Sequence, residues 1–319
     1  GMLVSLLLLN SIIFANIIAF MAMSATLALS ITNVPNFAVA TFGTIGIYIS
    51  FTCIKFLQIG LYPSLFFCFL GGGVVGVVVY QLLVKPLRKR RATREEMMIA
   101  TLGLDIFLMA LLNIYADYLT RNFKVMARDF TLSTYDFTIA GVSGALIVST
   151  LALIIILLTL HLMFTKTSIG IALKAISEDP SFAECQGINT ETLYVVTWFI
   201  VGALPAVAGG FFPIYWISNP NVSLLIVVSV FAACVLGGFS TIYDATAGGY
   251  IIAMTQTVLI SYLANIVGSW ILTYGFLISL LIMIITIFVF PKGLYGLPWD
   301  VISQKLQSTL SSVRRRIRQ

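Results

Sequence analysis

The chain has 319 residues, of which 60% are hydrophobic and only 9% charged, with a mean hydropathy of +1.04 and a formal net charge of +6. A soluble domain of this length needs more charge on its surface, and apolar runs beyond about 18 residues recur, each able to cross a hydrocarbon core about 30 Å thick. Composition therefore excludes a soluble globular protein and predicts an all-α polytopic membrane protein, since a β-barrel shows short alternating segments instead.

Apolar runs between breakers lie at 3–31, 37–57, 61–84, 97–119, 138–163, 191–212, 223–238, 246–266 and 269–290. They predict about nine helices, within a range of eight to ten, forming one transmembrane domain over residues 2–290. Gly1 precedes Met2 and is set aside. The first run lacks a basic flank and is too long for a cleavable signal peptide. It ends in "ITNVPNFA", where Asn33 and Asn36 flank Val34-Pro35. Within 61–84, Gly72 and Gly76 stand four apart, as close helix packing requires. "KPLRKRRATR" at 85–94 then concentrates six basic residues.

The fourth run carries Asp105, with Thr101, Asn113 and Asp117 at steps of four or eight on a slowly drifting helical face. An acid inside a membrane is costly unless paired or hydrated. Two readings stay open: these residues line a solute pathway, or they form an interhelical hydrogen bond. His161, near the end of the fifth run, reads as an interfacial packing residue. Cys53, Cys68, Cys185 and Cys234 are dispersed, without metal-ligand spacing, and read as small apolar residues.

Residues 165–189, "TKTSIGIALKAISEDPSFAECQGIN", break the apolar pattern with Lys166, Lys174, Glu178, Asp179 and Glu184. Good helix formers run from Ile169 to Ser177. Asp179 is placed to cap a second short helix with Pro180 in its first turn, Gly187 to end it in a left-handed cap, and Gly170 and Gly187 to let the chain turn sharply from the spans into the segment. Two short helices make a rigid polar surface suited to a soluble partner. Farther on, "ISNPNVS" at 217–223 forms a second break, with Asn219 and Asn221 around Pro220. Paired breaks in two halves point to a transport site, and Asn36 and Asn221 are predicted to cap the helices that follow, with N–H ends that favour a carboxylate. The plainer alternative is two solvent-facing turns. After the last run, residues 291–319 form a basic tail in which Ile302, Leu306, Leu310, Val313 and Ile317 predict an amphipathic helix on the inner membrane face.

Charge predicts orientation. Loops dense in Lys and Arg stay cytoplasmic, so 85–94 and the "RRRIR" of 314–318 lie on one side with six runs between them. Segment 165–189 then falls on the cytoplasmic side, and so does the C-terminus. Loop 120–136 and the N-terminus fall outside.

Several short motifs, in order along the chain, resemble the permease subunits of branched-chain amino acid ABC importers. Gly170, Ala172, Ala175, Asp179, Ala183, Gly187 and Ile188 are spaced like that family's cytoplasmic coupling segment. Asn36-Phe37-Ala38, Lys85-Pro86-Leu87-Arg88, Asn219-Pro220, Leu236-Gly237-Gly238 and Pro291-Lys292-Gly293-Leu294-Tyr295-Gly296 resemble its other signatures. The chain departs from the family where Val39-Ala40 replace His-Gly, and where Phe239 to Asp244 replace a Gly-Ser and Pro-Gly turn. The resemblance implies a permease that passes amino acids, of branched-chain type, across the cell membrane by alternating access, with no cofactor and no catalysis of its own. Its implied partners are ABC ATPase subunits, a second permease subunit and an extracytoplasmic substrate-binding protein, and no nucleic acid. Residues implied in coupling to the ATPase are Gly170, Ala172, Lys174, Ala175, Glu178, Asp179, Ala183 and Gly187. Those for the pathway are Asn33, Asn36, Asp105, Asn113, Asn219 and Asn221. The sequence holds no G-x-x-x-x-G-K-[ST] phosphate loop, so ATP is expected to bind a separate chain. The competing reading is a self-contained secondary transporter with Asp105 as the proton or cation carrier.

Overall fold

The computed structural model describes residues 2–139, 141–289 and 292–293. It is almost wholly helical: α1 (Met2–Thr32), α2 (Val39–Lys55), α3 (Leu61–Val79), α4 (Lys85–Lys89), α5 (Arg94–Phe123), α6 (Gly144–Lys166), α7 (Ser168–Glu178), α8 (Pro180–Cys185), α9 (Thr190–Phe211), α10 (Ser223–Gly237), α11 (Ile242–Val267) and α12 (Phe276–Val289). A two-residue hairpin, β1 (Thr138–Ile139) and β2 (Val142–Ser143), precedes α6. Among the described residues, six helical stretches are long and apolar enough to cross a membrane: 8–32, 61–89, 94–123, 144–166, 190–214 and 242–267. The other three predicted runs appear as the shorter helices α2, α10 and α12, of 17, 15 and 14 residues. At 1.5 Å per residue these span about 21–26 Å, short of the hydrocarbon thickness.

Local chemistry sets the helix limits. The basic stretch expected as a loop is largely helical: α3 passes through a π turn over Tyr80–Val84 into α4. Pro86 has no N–H for a regular α turn, and the wider π register accommodates it. The polar start of α5 is held by a capping box, in which Glu96 N donates to Thr93 Oγ1 (3.3 Å) and Thr93 N to Glu96 Oε2 (2.7 Å). This carries the helix three residues beyond the apolar run. Ser143 caps α6 by accepting from Leu146 N, so the fifth run begins its helix at Gly144 rather than 138.

Two ends of the bundle are defined by side chains. At one, Lys85 pairs with Glu191, Arg88 lies 3.6 Å over the Tyr194 ring, and Arg94 donates to Asn33 Oδ1. The end of α1 and the starts of α5 and α9 therefore meet at a basic end. At the opposite end the loop after α5 bridges to the loop after α9 through Phe130 and Ser218, while Tyr62 donates to Asp136 and Lys55 to Tyr135.

The core is a cross-packed pair of triplets. α3 lies along α9 as α11 lies along α1, and α2 seats on α9 as α10 seats on α1. Because α1 ends where α9 begins, α1–α2–α3 and α9–α10–α11 run in opposite senses across the bundle. This is the arrangement of an inverted repeat, a common plan among transporters. Contact is backbone to backbone. A Cβ on Gly76 would overlap the Trp198 carbonyl, and one on Gly202 would overlap the Gly72 carbonyl. The glycines at 72 and 76 thus serve close packing, as their spacing predicts. Polar clamps fix the outer helices. Asn16, fully buried on α1, donates to Ser149 (2.9 Å) and Thr150 (3.0 Å) of α6 and accepts from Tyr250 of α11. Gln256 of α11 accepts from Ser229 of α10 (2.7 Å) and Ser279 of α12 (2.6 Å). His161, read from sequence as an interfacial packing residue, is exposed and bonds the Tyr243 hydroxyl between α6 and α11. The predicted amphipathic helix at 302–317 lies outside the described residues.

Candidate functional site

Residues 165–189 fold into α7 and α8 at the basic end, against α1, α6 and α9. Thr167, in extended backbone, turns the chain out of α6 and caps α7 by accepting from Gly170 N (3.1 Å). Gly170 itself is helical. It was expected to let the chain turn, but its role is proximity, since a Cβ there would overlap the Met163 carbonyl at the end of α6. Asp179 Oδ1 accepts from Ser181 N (2.9 Å) and Phe182 N (3.0 Å), with Pro180 in the first turn of α8. Gly187 has φ +81° and open space around a notional Cβ, so the left-handed backbone alone calls for glycine.

One face of this pair turns inward. Gly170, Leu173, Ile176 and Ala183 are buried, and Ala172 and Ala175 half-buried. The other face is open, carrying Lys174, Glu178, Asp179 and Gly187. It also carries Ile171 and Phe182, exposed at 66% and 62%. Motif spacing did not single these two out. The available signal was helical phase for Ile171, which lies opposite Leu173 and Ile176, whereas Phe182 sits beside Ala183 in the short α8 and has no such signal.

The polar residues of α5 form a line about 24 Å long from Thr101 to Asp117, at 1.5 Å per residue. Thr101 accepts from Phe37 N (3.4 Å) and donates to the Pro35 carbonyl (2.8 Å), fastening α5 to the first break. Half-buried Asp105 accepts from Thr41 of α2 at 2.5 Å. Asn113 donates to Asn221 Oδ1 (3.0 Å) and accepts from Arg128 (3.0 Å), and Arg128 also pairs with Asp117 (3.0 Å). The line therefore connects the first break with the second.

The two breaks themselves are not brought together. Asn33, at φ +57°, lies at the basic end, whereas Asn219, bonded to Asp129 (3.0 Å), lies at the opposite end. Nor do Asn36 and Asn221 cap the following helices. The residues ahead of α2 and α10 are Ala38 and Val222, neither with a side-chain cap. Asn36 Oδ1 instead accepts from Ala38 N (3.2 Å), and Asn219 Oδ1 from Asn221 N (3.0 Å). Both are local turns closed two residues on, a bond that competes with capping. Asn36 is 1% exposed, and its Nδ2 has no partner among the described residues. Among those residues no three His, Cys, Asp or Glu side chains gather as a metal site.

Residues 7–287 match the family described as "Branched-chain amino acid transport system / permease component". A probable branched-chain amino acid transport permease protein LivH of Methanocaldococcus jannaschii is 38% identical over 300 residues, covering 94% of this chain and 95% of that one. The high-affinity branched-chain amino acid transport system permease protein LivH of Salmonella typhimurium is 25% identical, covering 91% and 94%. BraD of Pseudomonas aeruginosa, of the same description, is 24% identical, covering 91% and 95%. No solved structure matches.

Proposed function

This chain belongs to the family of branched-chain amino acid transport permeases, and we propose that it is the membrane subunit through which an ATP-binding-cassette importer carries such amino acids. The observation that carries the reading is the α7–α8 pair, a capped, rigid surface with two exposed apolar side chains set among charged ones at the basic end. A helical face of this kind suits insertion into a groove of a soluble partner. That partner is the ATPase, and its hydrolysis cycle moves α7–α8 to alternate access through the permease. The basic end faces the cytoplasm, and the C-terminus with it. The opposite end receives an extracytoplasmic substrate-binding protein, and a second permease subunit, identical or homologous, completes the pathway. The transmembrane domain occupies 2–290, and 291–319 is a cytoplasmic tail.

Asn36, Asp105, Asn113 and Asn221 border the solute path, supported by the polar line of α5 that joins both ends of the bundle. The family membership does not favour the ion-coupled alternative. The test is uptake of labelled leucine by vesicles holding the permease, ATPase and binding protein. Uptake is expected to require ATP, and Ile171→Ser with Phe182→Ser to release the ATPase on purification. Uptake by this chain alone, driven by an ion gradient without ATP, refutes the proposal.

A further inference from the structure

A cavity of about 470 Å³ opens at the basic end, apart from the polar line of α5. Four elements enclose it: the last turn of α1 with Asn33 and Val34 after it, the basic stretch leading into α5, the junction of α7 with α8, and Tyr194 of α9. Arg88 and Arg94 line it with Glu178, and Ile31, Met97 and Pro180 supply apolar surface. Ile31 and Met97 are 7% and 5% exposed, so that part of the wall is fixed by the core. The guanidiniums are also held in place, Arg88 on the Tyr194 ring and Arg94 by Asn33 Oδ1. A guanidinium presents a planar fork matched to a carboxylate. The cavity thus offers a carboxylate receptor, an ammonium receptor and an apolar wall in one enclosure.

An inorganic anion would use only the arginines, and a fatty chain only the apolar wall. A free amino acid with an aliphatic side chain uses all three features. We propose that this cavity binds such a zwitterion from the basic-end side: carboxylate on Arg88 and Arg94, ammonium on Glu178, side chain on Ile31, Met97 and Pro180. The inference rests on the reading that the chain imports amino acids, because the occupant is then the released product. An occupant ties the α7–α8 junction to α1 and α5. It brakes the segment on which the ATPase acts, so import slows as product accumulates.

The test uses the full chain in lipid nanodiscs and labelled L-leucine as the probe. Saturable binding is expected, displaced at least ~10-fold less well by leucinamide, 4-methylpentanoate or inorganic phosphate than by leucine, since a site built for a polar group rejects the analogue lacking it. Arg94→Gln and Glu178→Gln each weaken binding at least ~10-fold by the same loss. Both side chains are exposed, and the competition series on the unmodified chain decides the matter even where a variant folds poorly. In vesicles of the whole complex, leucine on the basic-end side slows ATP-driven uptake, and Arg94→Gln needs at least ~10-fold more leucine for the same slowing. Equal displacement by phosphate or 4-methylpentanoate would mark an anion site and overturn the proposal. So would unaltered binding in both variants, or no saturable binding. The binding measurement needs neither ATP nor partners, so lost uptake with intact binding refutes the importer reading alone, and intact uptake without binding refutes this one alone.

Discussion

Asp179→Ala tests whether the order of α8 transmits the ATPase stroke. The carboxylate accepts from two backbone amides, Ser181 N and Phe182 N, and it is exposed, so its removal empties no core. Loss of an aspartate cap costs about 1 kcal/mol, which at 25 °C is roughly a fivefold shift in the local equilibrium between ordered and frayed helix. α8 has six residues, anchored by buried Ala183, by Ile188 N on the Ala183 carbonyl and by Thr190 on Glu184 Oε1 (2.6 Å), all toward its C-terminal half, so the cap is what holds its first turn. Isolated helices this short are unstable. Substrate-stimulated ATPase activity and leucine uptake, measured together in reconstituted vesicles, are expected to separate: fewer leucines imported per ATP, with affinity for loaded binding protein unchanged. Asp179→Asn retains the cap, because the two residues cap nearly equally, and is expected to restore the ratio. Full coupling in the alanine variant would refute the reasoning. Uncoupling of equal depth in the asparagine variant would show that the charge of Asp179, rather than its cap, is what the partner reads.

Two further predictions concern the bundle. Asp105→Asn keeps an acceptor for Thr41 and removes the acid, so the complex is expected to assemble with altered uptake. Assembly with unaltered uptake would mean that Asp105 is only an interhelical bond. Gly76→Val places a branched side chain against the Trp198 carbonyl at the α3–α9 seam. Overpacking of this kind costs about 1–3 kcal/mol, more where backbone must move, and a lower midpoint of thermal unfolding in detergent is expected. An unchanged midpoint would show that the two helices separate without loss.

Much of this protein was legible in its residues because the bilayer is an unforgiving solvent. Backbone polar groups in hydrocarbon must be satisfied within the segment, so apolar length alone located the main helices. The α7–α8 segment was legible for a local reason. Asp179, Pro180 and Gly187 act within a turn or two of their own positions, and capping chemistry is written in sequence-adjacent residues.

What the tertiary structure decided is whatever depends on which helices meet. Asn36 and Asn221 look alike in sequence, each following a proline, yet one is buried near the basic end and the other exposed at the opposite end. Both form or join local turns rather than caps. Gly170 reads as a hinge until the carbonyl of Met163 is found against it. Ile171 and Phe182 acquire meaning only once the inward face of α7–α8 is known. The inverted pairing of α1–α2–α3 with α9–α10–α11, and the enclosure of Arg88, Arg94 and Glu178 around one cavity, join segments more than about 80 positions apart. Periodicity carries no information across such separations. Packing does, because small residues such as Gly76 and Gly202 let two backbones close to contact where side chains would hold them apart.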